Sequence, residues 1–276
     1  MKTLLSRFNL FFIVILNTFK YNLWKATIRK IFAQIKSEKV SDNALLWYKT
    51  SAIEMSHYAY ENNLLLDENI ISDQIKNIIK EREEENSLFE KHDVTPKRNR
   101  MGGFANVPFL YSIVKTLNKK VCLECGVSMG ASSYAILKAL DSQKEGKLIS
   151  NDLPYLWIPN SIEKIGMLIP DELKTKWKLF IGDDKDNLPK IIKKYGKFDF
   201  AHYDSNKSYE ARVLFCNLIT DHLSNDATII FDDIVDNDHF YDFCKTLDNS
   251  WKYFVLDDGS KFIGLLQKTN LTDNKY

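Results

Sequence analysis

The chain has 276 residues, of which 38 are Lys or Arg and 37 are Asp or Glu, so its formal net charge is +1. Hydrophobic residues make up 45% of the sequence and are spread along it, which excludes disordered, collagen-like and coiled-coil proteins. The near-zero net charge argues against a protein that coats nucleic acid, so we expect no nucleic-acid partner. Four cysteines in a chain of this length are not a disulfide framework, and they fit a reducing, cytoplasmic location.

The first 40 residues contain eight Lys or Arg and one acid, so this segment carries a net charge of +7. Its apolar run Phe8–Phe19 is shorter than the roughly 20 residues that a spanning helix needs, and no small-residue signal cleavage site follows it. Aromatic and aliphatic residues then continue among lysines to Ile35. This pattern predicts peripheral attachment to an anionic membrane, at its inner face, or a helix packed on the body or on a second copy in a homodimer. A cleaved or spanning segment is the third alternative.

The first 95 residues contain neither glycine nor proline, so we expect them to be mostly helical. Helical spacing of apolar residues predicts one helix over Ala44–Tyr60, and a second is expected from Ile71 to about Phe89. The basic stretch 95–103 contains proline and paired glycines and predicts a linker. The expected organisation is a basic apolar segment (1–40), a helical cap that chooses the substrate (41–100) and an α/β domain (101–276).

Strand and helix patterns alternate five times after Gly103, and an antiparallel pair closes the chain. The predicted strands are 120–125, 147–151, 177–181, 198–204, 227–231, 251–256 and 261–267. The alternation predicts a Rossmann-like, doubly wound, mostly parallel seven-stranded sheet with an antiparallel last strand and helices on both faces. Ligands bind such sheets at the carboxyl ends of the strands.

The first predicted strand ends in ECGVSMGASS, residues 124–133, where two of the ten glycines lie between a strand and a helix. Glycines at Gly126 and Gly130 let a ligand approach the backbone closely. The spacing is ExGxxxG, not the GxGxxG of dinucleotide-binding proteins. A tight turn with a serine cap is the structural alternative.

Acidic residues follow the next two strands. Asp152 comes 22 residues after Gly130, where a carboxylate accepts hydrogen bonds from both ribose hydroxyls. Asp183 and Asp184 follow the third strand, where a polar group meets an adenine edge. Three consecutive strand ends therefore carry groups that fit an adenosine-containing cofactor.

Four segments together resemble a known family. ECGVSMGASS, NDLP, FIGDDKDNLPKI and FDFAHYDSNKSYEARVLFCNLITDHLSNDATIIFDDI are similar to the class I S-adenosylmethionine-dependent methyltransferases. The resemblance is to small-molecule O-methyltransferases of the catechol and caffeoyl-CoA type and to related bacterial enzymes, and it covers about residues 101–268. It implies an enzyme that O-methylates a small hydroxylated acceptor, such as a sugar, a glycan or a phenol.

The resemblance also implies site roles. Asp152 would hold the ribose of S-adenosylmethionine, and Asp183 and Asp184 would lie near its adenine. The residues implied at its methionine end are Glu124, Gly126, Ser128, Gly130 and Ser132.

Asp204-Ser205-Asn206-Lys207 matches the Asp-x-x-Lys of the catechol-type enzymes, in which the Asp binds a divalent cation and the Lys lies near the reacting hydroxyl. Asp232 and Asp233 would complete the cation site. Ser205 departs from the usual glycine, Lys207 stands where the bacterial group more often has histidine, and Asp232-Asp233 replaces the catechol-type Asp-Asn pair.

Physical chemistry allows more than one use of these residues. A cation on Asp204, Asp232 and Asp233 would lower the pKa of an acceptor hydroxyl, and oxygen-only ligands favour Mg²⁺, Ca²⁺ or Mn²⁺. Lys207 is an alternative base. In the structural alternative, Asp232-Asp233 caps the next helix and Lys207 pairs with a surface acid.

His202 lies two positions before Asp204, on the same face of the strand, so it is a candidate for contact with cofactor or substrate and equally for a structural histidine. His239 lies near the same strand ends.

Two other function classes remain to be weighed. A nicotinamide-dependent reductase is disfavoured by the glycine spacing and by the lack of a Tyr-x-x-x-Lys motif. A non-catalytic binding module with the same fold is disfavoured by the intact ExGxxxG and Asp152, although the altered Asp-x-x-Lys region leaves room for it.

Overall fold

A computed structural model describes residues 14–35, 39–71, 76–77, 80, 101, 105–158 and 160–269. The predicted helix over Ile71–Phe89 and the predicted linker 95–103 lie mostly outside these residues, as does the start of the basic apolar segment. No helix of the described part is long and apolar enough to cross a membrane.

The described helices and strands follow the alternating pattern read from the sequence. The helices are α1 (Trp24–Ile35), α2 (Asp42–Ser51), α3 (Met55–Glu61), α4 (Val107–Thr116), α5 (Ala131–Ser142), α6 (Ser161–Lys164), α7 (Asp184–Tyr195), α8 (Tyr209–Ile219) and α9 (His239–Thr246), and residues 14–20 are also helical. The strands are β1 (Ala52–Glu54), β2 (Val121–Cys125), β3 (Lys147–Asp152), β4 (Trp177–Ile181), β5 (Phe198–Tyr203), β6 (Leu223–Phe231), β7 (Trp251–Asp257) and β8 (Phe262–Lys268).

The described strands form one sheet in the order β1-β7-β8-β6-β5-β2-β3-β4. Strand β8 is antiparallel to β6 and β7, and the other pairs are parallel. The predicted doubly wound, mostly parallel sheet with an antiparallel last strand is therefore confirmed. The chain runs outward from β2 to β4 and returns to β5 beside β2, so the switch point lies between β2 and β5.

The sheet has eight strands in the described part, not the seven predicted, because β1 interrupts the predicted helix over Ala44–Tyr60. Residues of β1 pair in parallel with β7, from Ala52 beside Val255 to Glu54 beside Asp257. The spacing of apolar residues indicates which side chains are buried. It does not indicate that the unpaired backbone N–H and C=O groups at the edge of β7 can pair with residues 52–54.

Both faces of the sheet are covered. Leu123 packs with α7 and α8 on one face, and Cys122 packs with α4 and α5 on the other. Buried strands of this kind are expected where helices cross over a parallel sheet. All four cysteines are buried and free.

Gly264 of β8 lies directly over the ring of Phe240 from α9. A Cβ atom at this position would lie 2.4 Å from the ring carbon Cε2. Strand β8 is hydrogen-bonded on both sides, to β6 and β7, so its backbone has little freedom to move away.

We expect Gly264→Ala to lower the free energy of unfolding by about 2 kcal/mol, since overpacking in a fixed core forces its neighbours to shift. Urea unfolding would measure this loss. Phe240→Leu in the same chain should recover at least about 1 kcal/mol of it, because the two residues share one space. If the effects of Gly264→Ala and Phe240→Leu on the free energy of unfolding were strictly additive, the Phe240 ring would not be what excludes a side chain at residue 264.

Candidate active site

The carboxyl ends of five neighbouring strands are joined by backbone hydrogen bonds that continue the sheet beyond its last paired residues. From the β4 side, Gly182 N donates to Asp152 O (2.8 Å), Gly126 N to Asn151 O (2.9 Å), Asp204 N to Cys125 O (2.7 Å) and Asp232 N to Tyr203 O (3.0 Å). The predicted site residues at the ends of β3, β2, β5 and β6 therefore lie side by side along one edge.

The glycine turn after β2 is packed against the turn after β5. Gly126 has φ +93°, and a Cβ there would lie 2.1 Å from the carbonyl oxygen of Asp204. Gly130 has φ +96° and lies against Gly166. Both positions thus require glycine for backbone conformation and for space, which brings the predicted cofactor turn within contact of the predicted catalytic strand end.

Glu124 is fully buried beneath this turn. Its carboxylate accepts hydrogen bonds from the hydroxyls of Ser132 (2.6 Å), Ser133 (2.5 Å) and Ser150 (2.7 Å). Charge-assisted bonds of this kind are about twice as strong as neutral ones. The carboxylate therefore fixes the start of α5 against β2 and β3, and the predicted contact of Glu124 and Ser132 with a cofactor remains a prediction.

His202 is buried beside the same carboxylate, with its Nδ1 atom 3.9 Å from Glu124 Oε1. Burial opposes protonation of the imidazole, but Glu124 and the nearby Asp204 and Asp232 outweigh it and raise the pKa of His202. The histidine thus links the glycine turn to the acidic strand ends electrostatically.

Asp152 is mostly buried at the end of β3, and its Oδ2 atom accepts a hydrogen bond from the backbone N–H of Ser128 (2.9 Å). The carboxylate that the sequence assigns to the ribose therefore also holds the glycine turn.

The two acids after β4 lie in different surroundings. Asp183 accepts hydrogen bonds from Lys185 N (2.8 Å) and from Arg29 Nε of α1 (2.9 Å). Asp184 is buried and accepts one from Asn151 Nδ2 (2.7 Å), and its burial raises its pKa. Arg29 was not predicted, because nothing in its local sequence points to a partner 154 residues away.

Asp204, Asp232 and Asp233 form an acidic cluster whose carboxylate oxygens lie within 4.8 Å of one another. Lys207 Nζ contacts all three acids: it lies 3.1 Å from Asp204, 3.9 Å from Asp232 and in direct contact with Asp233. Lys261 Nζ lies 2.6 Å from Asp232 and 3.8 Å from Asp233. The structure thus brings the predicted residues together and adds Lys261, which the sequence analysis missed.

The charges in this cluster act on its carboxyl groups unequally. Burial and the charge of Asp232 raise the pKa of Asp204, against the opposing effect of Lys207. Burial also disfavours ionised Asp232, but the ammonium group of Lys261 prevails and holds the pKa of Asp232 below its usual range. Asp232 is therefore ionised more readily than Asp204.

Arg212 of α8 supports the cluster from below. Its side chain is fully buried, and Nη2 donates to the carbonyl oxygens of Asp232 (3.1 Å) and Asp233 (2.8 Å). Asp233 has φ +47°, an uncommon conformation for a residue with a side chain. The buried guanidinium thus fixes the turn that presents two of the three acids.

As a cation site, the cluster has the right donor chemistry, since Mg²⁺ and Mn²⁺ prefer carboxylate oxygens. Its surroundings do not fit, because two ammonium groups already contact the same oxygens and leave a net charge of −1 on three acids and two lysines. In this arrangement the carboxylates are paired with lysines.

His239 lies apart from the cluster in an aromatic pocket, stacked on Phe243 with ring centroids 5.7 Å apart. Burial, followed by the charge of Arg212, lowers the pKa of His239 to about 4. This surrounding is that of a structural histidine.

The comparisons with known proteins agree with this geometry. Residues 123–234 match the family model described as a methyltransferase domain. The predicted enzyme class and the predicted resemblance to S-adenosylmethionine-dependent methyltransferases are thereby confirmed.

Solved structures of other proteins have the same fold as this chain. A proposed O-methyltransferase from Klebsiella pneumoniae has a TM-score of 0.54 at 12% identity, covering 79% of this chain and 97% of its own. The O-methyltransferase TomG from Streptomyces achromogenes, solved with S-adenosylmethionine, has a TM-score of 0.51 at 14% identity, covering 81% of this chain and 99% of its own. No curated protein matches the sequence significantly.

The burial of His239 predicts that the stability of the protein depends on pH. The pKa of His239 is about 4 in the folded state and about 6.5 in the unfolded state. As the pH falls, His239 is therefore protonated in the unfolded chain before it is protonated in the folded protein. The free energy of unfolding decreases by about 3 kcal/mol between pH 6.5 and about 4.

Urea unfolding between pH 7.5 and 4.5 would measure this loss in wild type and in His239→Phe, and the difference between the two curves isolates the group. His57→Gln, at an exposed histidine, is the control. Parallel curves for wild type and His239→Phe would contradict the assignment.

Proposed function

We propose that the protein transfers the methyl group of S-adenosylmethionine to a hydroxyl oxygen of a small acceptor. The observation that carries the proposal is the continuous row of strand ends from Asp152 through Gly126 to Asp204, within a methyltransferase domain. The row places a cofactor turn and a charged cluster in contact, as transfer between two bound molecules requires.

In this proposal the cofactor lies along the strand ends from β4 to β2. Asp183 lies near the adenine, Asp152 holds the ribose, and the Gly126–Gly130 turn receives the methionine end. Because the Asp204 carbonyl lies against Gly126, an acceptor bound at the acidic cluster meets the methyl end of the cofactor. A phenol or a sugar hydroxyl is the acceptor class, and the helical cap, residues 41–100, selects among them.

The chain's own residues position the acceptor and carry the charge. The side chains of Asp204, Lys207 and Asp233 are each about 30% exposed, so an acceptor hydroxyl can reach them. In-line transfer then needs the hydroxyl oxygen directed at the methyl carbon. The backbone N–H of Asp204 donates a hydrogen bond to the carbonyl oxygen of Cys125, and this bond fixes the direction of the strand end.

Asp152→Asn should weaken binding of S-adenosylhomocysteine about 10- to 100-fold, since one or two hydrogen bonds to a charged acceptor contribute about 1.5–3 kcal/mol. Isothermal titration calorimetry would measure the dissociation constant, and urea unfolding would confirm that the variant folds.

Asp171→Asn is the matched control, because Asp171 is exposed and pairs only with nearby Lys174 among the described contacts. Unchanged affinity in folded Asp152→Asn would contradict the ribose role. A thermal shift with NADPH but none with S-adenosylhomocysteine would overturn the proposed function itself.

We also propose that the N-terminal helices attach the protein to the inner face of an anionic membrane. Helix 14–20 and α1 pack on the body on one side, where Asn17 Nδ2 donates to Leu156 O (2.8 Å). On the other side they carry large apolar residues that are 45–77% exposed. These residues are Leu16, Phe19, Trp24 and Ile28.

Exposed Lys20 and Lys25 flank these apolar residues. Within each helix the apolar residues are three or four positions apart, so they share one side. An interfacial helix combines these properties, with apolar side chains in the acyl boundary and lysines at the headgroups. A second copy of the chain is the competing occupant of the same surface.

Phe19→Ser combined with Trp24→Ser should weaken binding to phosphatidylserine-containing vesicles more than tenfold, because burying each side chain contributes about 1.5–3 kcal/mol. Vesicle sedimentation would measure this, and 1 M salt should weaken wild-type binding as well.

Leu46→Ser combined with Leu65→Ser is the control, since these residues are also exposed but lie in other segments. Equal pelleting of all three proteins would contradict attachment through this surface. Self-association of wild type that is lost in Phe19→Ser with Trp24→Ser would assign the surface to a homodimer instead.

A further inference from the structure

The acidic cluster holds two lysines whose ammonium groups come from different parts of the chain. Lys207 belongs to the turn after β5, and Lys261 to the turn between β7 and β8. Lys207 Nζ lies within 3.9 Å of all three acids, so it lies close to the centre that a shared cation would take. Lys261 Nζ approaches from the other side and pairs with Asp232 at 2.6 Å.

The backbone at each of the two lysines is fixed by a hydrogen bond to a neighbouring side chain. The carbonyl oxygen of Lys207 accepts a hydrogen bond from Asn237 Nδ2 (2.7 Å). The backbone N–H of Lys261 donates to Asp258 Oδ1 (2.9 Å). These bonds fix the turns that carry the lysines, so the ammonium groups are directed at the acids before any ligand binds.

A divalent cation would compete with these groups for the same oxygens. Mg²⁺ needs oxygen ligands at about 2.0–2.1 Å in near-octahedral geometry. The carboxylate oxygens of the cluster already accept hydrogen bonds from the two ammonium groups. Adding a dication to the two ammonium groups would change the net charge of the cluster from −1 to +1. The dication would also lie beside two ammonium groups that contact the same oxygens, so like charges would be brought together in a half-buried cluster.

We propose that Lys207 and Lys261 take the place of a divalent cation in this cluster, so that the protein retains three carboxylates and works without a metal. The proposal rests on the proposed methyl transfer to oxygen. Lys261 then becomes a residue of the acceptor site, although it lies in a hairpin turn far from every methyltransferase motif of the sequence.

The lysines supply positive charge where the acceptor oxygen becomes negative. The hydroxyl oxygen forms a bond to the methyl carbon, the bond from that carbon to sulfur breaks, and its electron pair stays on sulfur as the thioether of S-adenosylhomocysteine. The hydroxyl proton is released to water. Fixed ammonium groups stabilise the oxygen as it loses this proton, as preorganised charges do in other enzymes.

The test uses Mn²⁺ alone as a probe of the full-length protein, with binding followed by electron paramagnetic resonance. Wild type should bind no Mn²⁺ stoichiometrically below about 1 mM. Lys207→Met combined with Lys261→Met frees three carboxylates, so it should bind one Mn²⁺ at least tenfold more tightly than wild type. Lys174→Met, at an exposed lysine paired with Asp171, should behave as wild type.

Lys261→Arg keeps the charge and should resemble wild type, which separates a charge effect from a folding defect. With an acceptor found in a panel of phenols and sugars, wild-type turnover should change less than twofold in EDTA. Turnover of Lys261→Met should fall about 100-fold, the scale for losing one preorganised charge, while turnover of Lys261→Arg should stay within tenfold of wild type.

Stoichiometric Mn²⁺ binding by wild type, or turnover that EDTA abolishes and Mg²⁺ restores, would overturn the proposal in favour of a metal site. Unchanged kcat in folded Lys261→Met would remove Lys261 from the acceptor site. S-adenosylhomocysteine affinity, measured in parallel, should stay within twofold in every variant. If wild type does not bind S-adenosylhomocysteine, this result would count against the proposed function and not against the role of the lysines.

Discussion

The contact between Gly126 and the carbonyl of Asp204 is the constraint on which the site depends. A side chain at residue 126 would meet that carbonyl at 2.1 Å, so only glycine lets the turns after β2 and β5 touch. The strand order places these two turns side by side, because the chain returns from β4 to β5 beside β2 and creates the switch point there. The glycine turn after β2 and the charged cluster come from distant parts of the sequence, and this backbone contact makes them neighbours.

Charge inside this edge is balanced locally. The Glu124 carboxylate is satisfied by three serine hydroxyls and has His202 beside it, while the acidic cluster is matched by two lysines. Arg212 bonds to backbone carbonyls beneath the cluster and so fixes its turn. Because a buried charge without a partner is costly, each of these pairings restrains its neighbours, and the site is preorganised.

The sequence predicts the elements whose signal is local. Glycines at strand ends, the acids that follow them and the alternation of β2 to β8 are all visible within short windows, and the sheet has this order. Three features escape such windows. Strand β1 forms because β7 offers a free edge to pair with. The roles of Arg29 and Lys261 can be recognised only from their hydrogen bonds to Asp183 and Asp232 in the folded protein. Each depends on a partner that folding brings from far along the chain.

The N-terminal helices show how such a distant contact bears on the site. Arg29 bonds to Asp183 after β4, and Asn17 bonds to the segment that follows β3. These are the two strand ends that we propose hold the adenosine, so the helices that carry the exposed apolar side chains also bond to the loops that would lie beside the cofactor. Since β4 is the edge strand of the sheet, a membrane under these helices would lie on the β4 side. The acidic cluster lies three and four strands away from β4, at β5 and β6. The side chains of Asp204, Lys207 and Asp233 there are about 30% exposed, so the cluster would remain accessible to an acceptor.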